Sequence, residues 1–202
     1  MGMNGFKTTL IACQHCGRRI MVRAADAARG SITCSHVGCG AVNSLQSAFQ
    51  YDEAIVQGLP EFGKLTYLNK PEITYPLQFG PNVIGTGDSC TVQVERFVHN
   101  GRCFISRRHG TLTVTFDKWS GRLRYQLQDG ALDESRQHLQ PSLNGTLLNG
   151  IPLQKMELID VENEGVITLG GADRFRLAHF SIPAAMLTTY KVDLAFNPDR
   201  TE

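Results

Sequence analysis

Four cysteines near the start of the chain have the residue type and the spacing of metal ligands. They form two close pairs, Cys13 with Cys16 and Cys34 with Cys39, and seventeen residues separate the pairs. A pair with two to four residues between its members can hold an ion from a tight turn, and tetrahedral zinc accepts four sulfur ligands. We therefore expect these four cysteines to bind one structural Zn²⁺.

Two other states of these cysteines are open from the sequence, namely two disulfides or four unligated thiols. A segment of about 40 residues does not easily fold without a metal or a partner, which favours ligation. Gly17 and Gly40 follow the second cysteine of each pair, where the backbone can turn through a positive φ. His15 and His36 lie inside the spacers, and we expect them to face solvent. The pattern resembles a zinc ribbon, although the second pair has four spacer residues rather than two.

Charge and composition suggest that this segment is a separate module. Residues 1–44 hold five basic and one acidic side chain, whereas the rest of the chain holds fifteen basic and eighteen acidic ones. The 202 residues, 42% of them hydrophobic and 19% charged, are typical of a globular protein with one medium and one small domain. Apolar runs are only a few residues long and the N-terminus has no apolar signal core, so we expect a cytoplasmic protein.

The remainder of the chain has the pattern of an all-β domain. Apolar and polar residues alternate in Thr111–Phe116 and in Arg122–Gln128, as in half-buried antiparallel strands. Glycine-bearing turn signals separate these runs from further short strand candidates: Leu65–Leu68, Ile73–Phe79, Val83–Ile84, Cys103–Ser106, Gly145–Leu148, Val166–Leu169 and Arg174–Phe180. This spacing predicts a β-sandwich. We predict a zinc-ribbon-like module at 1–44, a linker at 45–62, the sandwich at 63–180 and a C-terminal extension at 181–202.

Three polar segments within this domain stand in a fixed order. They are Ile84-Gly85, then Ile105-Ser106-Arg107-Arg108-His109, and then Asn144-Gly145-Thr146-Leu147-Leu148-Asn149-Gly150. Their order in a run of short strands resembles the signature of the forkhead-associated (FHA) domain. The resemblance covers residues 63–180 and implies a β-sandwich whose loops at one end recognise phosphothreonine in partner proteins.

The resemblance also implies a role for single residues. Ser106 matches the serine that hydrogen-bonds the phosphate, and Arg107 stands beside it as an assisting donor. Asn144 matches the asparagine that holds the peptide backbone. His109 matches a histidine that braces the recognition loop from inside. Gly85, Gly145 and Thr146 are structural in the same scheme.

One residue departs from the family pattern. Arginine follows the first glycine in the family, and here Thr86 follows Gly85. A neutral hydroxyl replaces a permanent cation, so part of the attraction for a phosphate is absent unless another arginine supplies it. The candidates are Arg102, Arg107, Arg108 and Arg136, and we include Thr86 and Arg102 in the candidate phosphopeptide site. We expect weak phosphothreonine binding, and the alternative is a degenerate domain that assembles proteins without phosphate.

Catalysis is not indicated. Cys103 and His109 lie six residues apart across a predicted turn, without a third group to orient them as nucleophile and base. The segment 80–87 lacks the glycine spacing of a nucleotide-binding loop. We therefore expect a signalling adaptor rather than an enzyme.

A second class of function is nucleic-acid binding by the first module. Four arginines at 18, 19, 23 and 29 make it basic, and Phe6 offers one aromatic ring for stacking. A series of aromatic residues is missing, so we favour protein partners over nucleic acid.

Overall fold

Strands make up most of the regular structure in the computed structural model, which describes residues 9–45, 49–133, 135 and 138–193. These residues divide into two units. The first contains 9–45, 49–52 and 190–193, and the second contains 53–189. Phe6 and Arg136, which the sequence singled out, lie outside the described residues. In the part of the chain that the structure describes, no helix is long and apolar enough to cross a membrane.

The first unit consists of small strand pairs and one short helix. Each pair is antiparallel: β1 (Thr9–Ala12) with β2 (Arg19–Val22), β3 (Ser31–Thr33) with β4 (Val42–Ser44), and β5 (Phe49–Tyr51) with β19 (Lys191–Asp193). Helix α1 (Ala24–Arg29) connects β2 to β3.

Local chemistry sets both ends of α1. The Asp26 carboxylate accepts the backbone N–H of Arg23 at 3.0 Å, which caps the first turn. Asp26 also forms an ion pair with Arg29 in the last turn. Gly30 then adopts a φ of +67°, a conformation that ends a helix at little cost for glycine.

The second unit is a sandwich of two sheets. The five-stranded sheet has the order β16-β11-β10-β8-β9, and the six-stranded sheet has the order β15-β14-β17-β18-β6-β7. The strands of this unit are β6 (Lys64–Tyr67), β7 (Thr74–Pro76), β8 (Gly80–Gly85), β9 (Val92–Gln93), β10 (Gly110–Asp117), β11 (Arg122–Asp129), β12 (Ala131–Leu132), β13 (Leu139–Gln140), β14 (Thr146–Leu148), β15 (Ile151–Pro152), β16 (Ile159–Asp160), β17 (Val166–Leu169) and β18 (Asp173–Ala178). A 3-10 helix (Glu53–Gly58) precedes them, α2 (Ala184–Thr189) follows them, and β12 pairs only with β13.

Alternating side chains build the core between these sheets. Leu112 and Val114 of β10 are fully buried, while the threonines between them are half-buried on the other face. The opposite sheet contributes Ile167, Leu169 and Phe175, which are also fully buried. The prediction of an all-β sandwich preceded by a small cysteine-bearing module is confirmed.

Tyr125 of β11 fastens the chain where it enters and leaves the sandwich. Its hydroxyl donates to the carbonyl oxygen of Phe62 at 3.1 Å and accepts the N–H of Phe180 at 2.9 Å. Gly63 lies against the same hydroxyl with a φ of +89°, where a Cβ would come within 2.6 Å of the Ala178 carbonyl oxygen. Only glycine fits at this position.

Two predicted strands differ from the structure. The predicted strand at Ile73–Phe79 is only Thr74–Pro76, and it lies at the edge of its sheet, where a proline without an N–H is tolerated. The predicted strand at Cys103–Ser106 is a loop. Its backbone groups bond to the side chains of His109 in the same loop and Asn144 in another loop instead of to a strand.

Candidate functional site

Three loops meet at one end of the sandwich. They are the turn after β8, the loop that precedes β10, and the loop that precedes β14. The N–H of Thr86 donates to the carbonyl oxygen of Ser106 at 3.2 Å, and the N–H of Leu143 donates to the Ser106 hydroxyl at 3.1 Å. Ser106 is therefore the point at which the three loops are joined.

His109 holds these loops from inside the protein. Its side chain is fully buried, and Nδ1 accepts the backbone N–H of Ser106 at 2.9 Å. Because Nδ1 is an acceptor, Nε2 carries the ring proton and donates it to the Gly145 carbonyl oxygen at 3.0 Å. The N–H of Gly170, 3.2 Å from Nε2, donates to that same carbonyl oxygen at 3.0 Å. Burial lowers the pKa of His109, in keeping with a neutral ring.

Gly85 allows the turn after β8 to lie directly against the Ser106 loop. A Cβ at this position would be 2.7 Å from the Arg107 carbonyl carbon and 2.9 Å from the Ser106 carbonyl oxygen. Backbone atoms cannot move aside cheaply, so any side chain here would separate the two loops. Gly85 is required for this close approach rather than for a positive φ.

The side chains of these loops line a cavity of about 1540 Å³. Thr86, Ser106 and Arg107, which the sequence placed in one site, all lie on its wall. Asn144 follows the lining residue Leu143, and its Nδ2 donates to the Phe104 carbonyl oxygen at 2.8 Å. The Asn144 side chain is exposed and is not among the residues that line the cavity.

Arg102 lies outside the cavity. It pairs with His99 across the two-residue turn Asn100-Gly101, whose φ angles are +52° and +78°. Arg102 is not among the residues that line the cavity, although it lies only four residues from Ser106 in the sequence.

Arg108 takes a position that the sequence did not reveal. Its Nη1 donates to the Ser89 hydroxyl at 3.2 Å and its Nη2 to the Leu132 carbonyl oxygen at 2.9 Å, while Nε is buried without a partner among the described residues. Both acceptors are neutral, so these bonds hold the guanidinium against the cavity wall without compensating its charge. Arg96 is another lining arginine that the sequence analysis missed.

An acidic residue fixes the loop that precedes β14. Asp129 accepts the Thr146 hydroxyl at 2.6 Å, the Ser142 hydroxyl at 2.8 Å and the Ser142 N–H at 3.1 Å. The Ser142 hydroxyl also accepts the N–H of Gly145 at 2.8 Å. Asp129 could not be identified from the sequence, because its partners lie thirteen and seventeen residues later in the chain.

The first unit contains a candidate metal centre. The sulfurs of Cys13, Cys16, Cys34 and Cys39 lie within 4.8 Å of one another. Cys13 and Cys39 are 3.7 Å apart and Cys16 and Cys34 are 3.8 Å apart, sulfur to sulfur. Metal–sulfur bonds of about 2.3 Å in a tetrahedron require sulfur–sulfur distances of about 3.8 Å. The four sulfurs therefore fit one tetrahedral ion.

The histidines of this unit are not part of the cysteine cluster. His15 is exposed, and Nε2 of His36 lies 3.3 Å from the Arg19 carbonyl oxygen. Gly17 and Gly40 have φ angles of +70° and +58°, as expected of the turns that follow each cysteine pair.

The thiols of the cluster differ in acidity. Burial raises the pKa of Cys13, but the backbone N–H groups of Cys16 and His15 outweigh it and lower the pKa to about 6. At Cys34 the N–H of His36 favours the thiolate, yet burial and the neighbouring sulfurs raise the pKa to about 12. Four adjacent thiols cannot all ionise by themselves, and a divalent cation is what allows them to do so.

Comparison with known proteins gives one family match. The model of the FHA domain matches residues 82–170. No curated protein matches the chain. Solved structures resemble about three fifths of it. An FHA domain analysed for phosphothreonine-dependent interactions is 24% identical, covers 60% of this chain and 99% of its own, and has a TM-score of 0.42.

Two further solved structures resemble the chain. The FHA domain of an Arabidopsis thaliana hypothetical protein is 20% identical over 61% of this chain and 90% of its own, with a TM-score of 0.44. The FhaA FHA domain, in complex with the intracellular domain of another protein, is 25% identical over 57% of this chain and 98% of its own, with a TM-score of 0.40.

Proposed function

Because residues 82–170 of this chain form an FHA domain, we propose that the protein is a non-catalytic interaction adaptor that binds phosphothreonine-containing partners. The cavity formed by the loops after β8, before β10 and before β14 is the binding site. The main observation behind the proposal is that Ser106, Arg107 and Arg108 all line this cavity. In the described part of the chain, neither guanidinium forms an ion pair with a carboxylate.

A phosphothreonine brings about −1.5 to −2 charges and three acceptor oxygens, so its reader needs several converging donors. The Ser106 hydroxyl accepts the N–H of Leu143, which leaves its own proton free to donate to a phosphate oxygen. Arg107 is exposed and can reorient toward the phosphate. Arg108 is held in place by Ser89 and Leu132, so it loses little conformational entropy on binding.

Asn144 is the residue that would hold the peptide backbone. Its Nδ2 is already bonded to Phe104, so Oδ1 is the atom that can accept a peptide N–H. Leu143, 88% exposed, and Leu132, 46% exposed, offer apolar contacts beside it. These contacts contribute affinity that does not depend on the phosphate.

Thr86 lowers the expected affinity. A charge-assisted hydrogen bond contributes about 1.5–3 kcal/mol, so its absence weakens phosphopeptide binding by roughly tenfold to a hundredfold. Arg108 offsets part of this loss. The same substitution favours the alternative function, a scaffold subunit that uses the loops without phosphate.

Zinc is the ion proposed for the cysteine cluster. Four thiolates in a tetrahedron suit Zn²⁺, which has no preferred geometry of its own and needs no redox partner. Thiolate ligands require a reducing compartment, so the cytoplasm is the proposed location.

Binding of a degenerate phosphothreonine peptide pool, followed by fluorescence anisotropy, tests the proposed function. The pool is expected to bind, and its unphosphorylated counterpart at least tenfold more weakly. Ser106→Ala and Arg108→Gln should each weaken binding of the phosphorylated pool by about fivefold to tenfold.

Arg102→Gln is the matched control, because it removes the same charge outside the cavity, and it should change affinity less than twofold. Equal binding of both pools would contradict the phosphate-dependent function and favour the scaffold. An effect of Arg102→Gln as large as that of Arg108→Gln would contradict the assignment of the cavity.

A further inference from the structure

A groove in the first unit lies between strands that have free edges. Its volume is about 630 Å³, and residues of β2, α1 and β3 line it, including Met21, Arg23, Arg29, Ser31 and Thr33. It is separate from the cysteine cluster and from the FHA loops, and neither the metal nor the proposed phosphopeptide uses it.

The register of the first hairpin shows which backbone groups of β2 point away from β1. The N–H of Cys13 donates to the Arg18 carbonyl oxygen, so this pair is of the hydrogen-bonded type. Pairs alternate along antiparallel strands, and the next pair, Ala12 with Arg19, is therefore of the other type, with its polar groups directed outward. The Arg19 carbonyl oxygen lies 3.3 Å from Nε2 of His36, as this alternation requires. By the same rule, the backbone N–H and carbonyl groups of Met21 point away from β1.

The second hairpin leaves a longer free edge. The N–H of Cys34 donates to the Ala41 carbonyl oxygen, and the N–H of Leu45 donates to the Gly30 carbonyl oxygen. Between these two hydrogen-bonded pairs, Ser31 and Thr33 fall in pairs of the other type. Their N–H and carbonyl groups therefore point away from β4, and both residues line the groove.

These outward groups have no hydrogen-bond partner within the described chain. Ser31 and Thr33 together present two donors and two acceptors at the spacing of a strand. An extended peptide that pairs with such an edge satisfies all four, and side chains at alternate positions give the specificity. Because the Arg19 carbonyl oxygen of β2 is already engaged, β3 offers the better edge.

The charge of the groove selects the partner. Arg23 and Arg29 stand at its rim, and Asp26 offsets only one of them. Met21, 53% exposed, adds an apolar contact. An acidic strand with β-branched residues at alternate positions complements both features.

We propose that the first unit binds an acidic, extended segment of a partner protein, which adds to β3 as a strand within this groove. This interaction does not depend on the phosphothreonine site. Loss of one therefore leaves the other intact, and the two can be tested separately in the full chain.

The probe is a fluorescent octapeptide of four Glu-Val repeats, titrated into the full-length, zinc-loaded protein. It should bind, and the octapeptide of four Lys-Val repeats should bind at least tenfold more weakly. Esters that replace single backbone amides in the central repeats remove one N–H each. Binding should fall by about threefold to tenfold at every second position and remain unchanged at the positions between, because alternate N–H groups of a strand face β3.

Protein variants provide the second arm. Arg23→Gln should weaken binding of the Glu-Val peptide by about twofold to fivefold, whereas Arg18→Gln, the same change in the turn outside the groove, should leave it unaltered. No binding of the Glu-Val peptide, or equal loss at all ester positions, would overturn the proposal. The proposal would also be overturned if an oligothymidylate displaced the peptide and if its affinity fell equally in Arg23→Gln and Arg18→Gln. That result would assign the basic face to nucleic acid.

Discussion

The interiors of the two units consist of different types of residue. In the first unit, Cys13, Ile20 and Cys34 form the buried cluster, so two of the proposed metal ligands are themselves core residues. In the sandwich, aliphatic and aromatic side chains fill the interior and include Leu112 and Phe175, which are fully buried. Loss of the proposed metal would therefore disrupt the interior of the first unit, whereas the interior of the sandwich does not depend on what its loops bind.

The two units therefore differ in whether the residues proposed to bind a ligand also belong to the core. In the first unit, binding of the proposed metal by buried cysteines would make ligation and folding one event. In the sandwich, structural support and the proposed ligand binding fall to different residues. The buried ring of His109 fixes the loops, and Ser106 and Arg107 line the cavity.

Removal of the metal should unfold the first unit only. Structural zinc in small modules contributes about 10–16 kcal/mol of apparent binding free energy, far more than a short two-hairpin unit can replace. A strong chelator, or Cys34→Ser, should collapse the amide NMR signals of residues 9–45 to random-coil positions. Urea unfolding followed by Trp119 fluorescence, which reports the sandwich alone because the chain has one tryptophan, should keep its midpoint. Zinc-free protein with native signals for residues 9–45 would contradict the comparison.

Thr86→Arg should change affinity without changing stability. The new guanidinium would face the cavity beside Ser106 and should strengthen phosphothreonine peptide binding by about tenfold to a hundredfold, or ~1.5–3 kcal/mol. Part of this gain is electrostatic, so it should shrink as salt is raised. A titration at two ionic strengths measures both effects. If the variant gains no affinity, the loops are adapted to another ligand.

His109→Ala should destabilise the sandwich by about 1–3 kcal/mol, because it leaves the N–H of Ser106 without its buried partner and removes one of the two donors to the Gly145 carbonyl oxygen. Ser106→Ala is the matched control in the same loop. It should leave the free energy of unfolding nearly unchanged and affect only ligand binding. Equal destabilisation in urea by the two substitutions would disprove the separation of roles.

Acid should lower the stability of the sandwich, because burial lowers the pKa values of two of its histidines. Burial lowers the pKa values of His109 and His179 below the ordinary value of 6.5, so the unfolded chain binds protons that the folded one does not. Stability is therefore complete above pH 6.5 and falls as the pH drops toward the lowered values, by at most about 1.4 kcal/mol per pH unit for each histidine. His109→Gln should reduce this slope in Trp119-monitored unfolding, and the exposed His138→Gln should not. An unchanged slope in His109→Gln would be contrary evidence.

Alternation and turn chemistry predicted much of the sandwich. The predicted strands Thr111–Phe116 and Arg122–Gln128 lie within β10 and β11, and Val166–Leu169 is β17. The residues of β10 and β11 face the core and the other side of the sheet in turn, so this pattern is local and can be read from the sequence. The prediction at Cys103–Ser106 failed because side chains take the place of a neighbouring strand: the Ser106 N–H bonds to His109 in the same loop, and the Phe104 carbonyl oxygen bonds to Asn144 in another loop.

The candidate site could be predicted only in part, because local motifs are visible in the sequence and contacts between distant residues are not. Thr86, Ser106 and Arg107, which the motif order assigned to one site, line one cavity, whereas Arg102 does not line it. The contacts of Arg108 with Ser89 and Leu132 span nineteen and twenty-four residues. Neither partner has a distinctive residue type, so no local signal could have predicted them.

The most direct test of the phosphothreonine-binding function is a ¹H–¹⁵N NMR titration of the full chain with the degenerate phosphothreonine peptide pool. We expect the backbone amide resonances of Thr86, Ser106, Arg107 and Leu143 to shift as the phosphorylated peptide is added. The resonances of residues 9–45 should not shift, and the unphosphorylated pool should leave the four amide resonances in place. Amides that shift equally with both pools, or that do not move while residues 9–45 do, would contradict the proposed function.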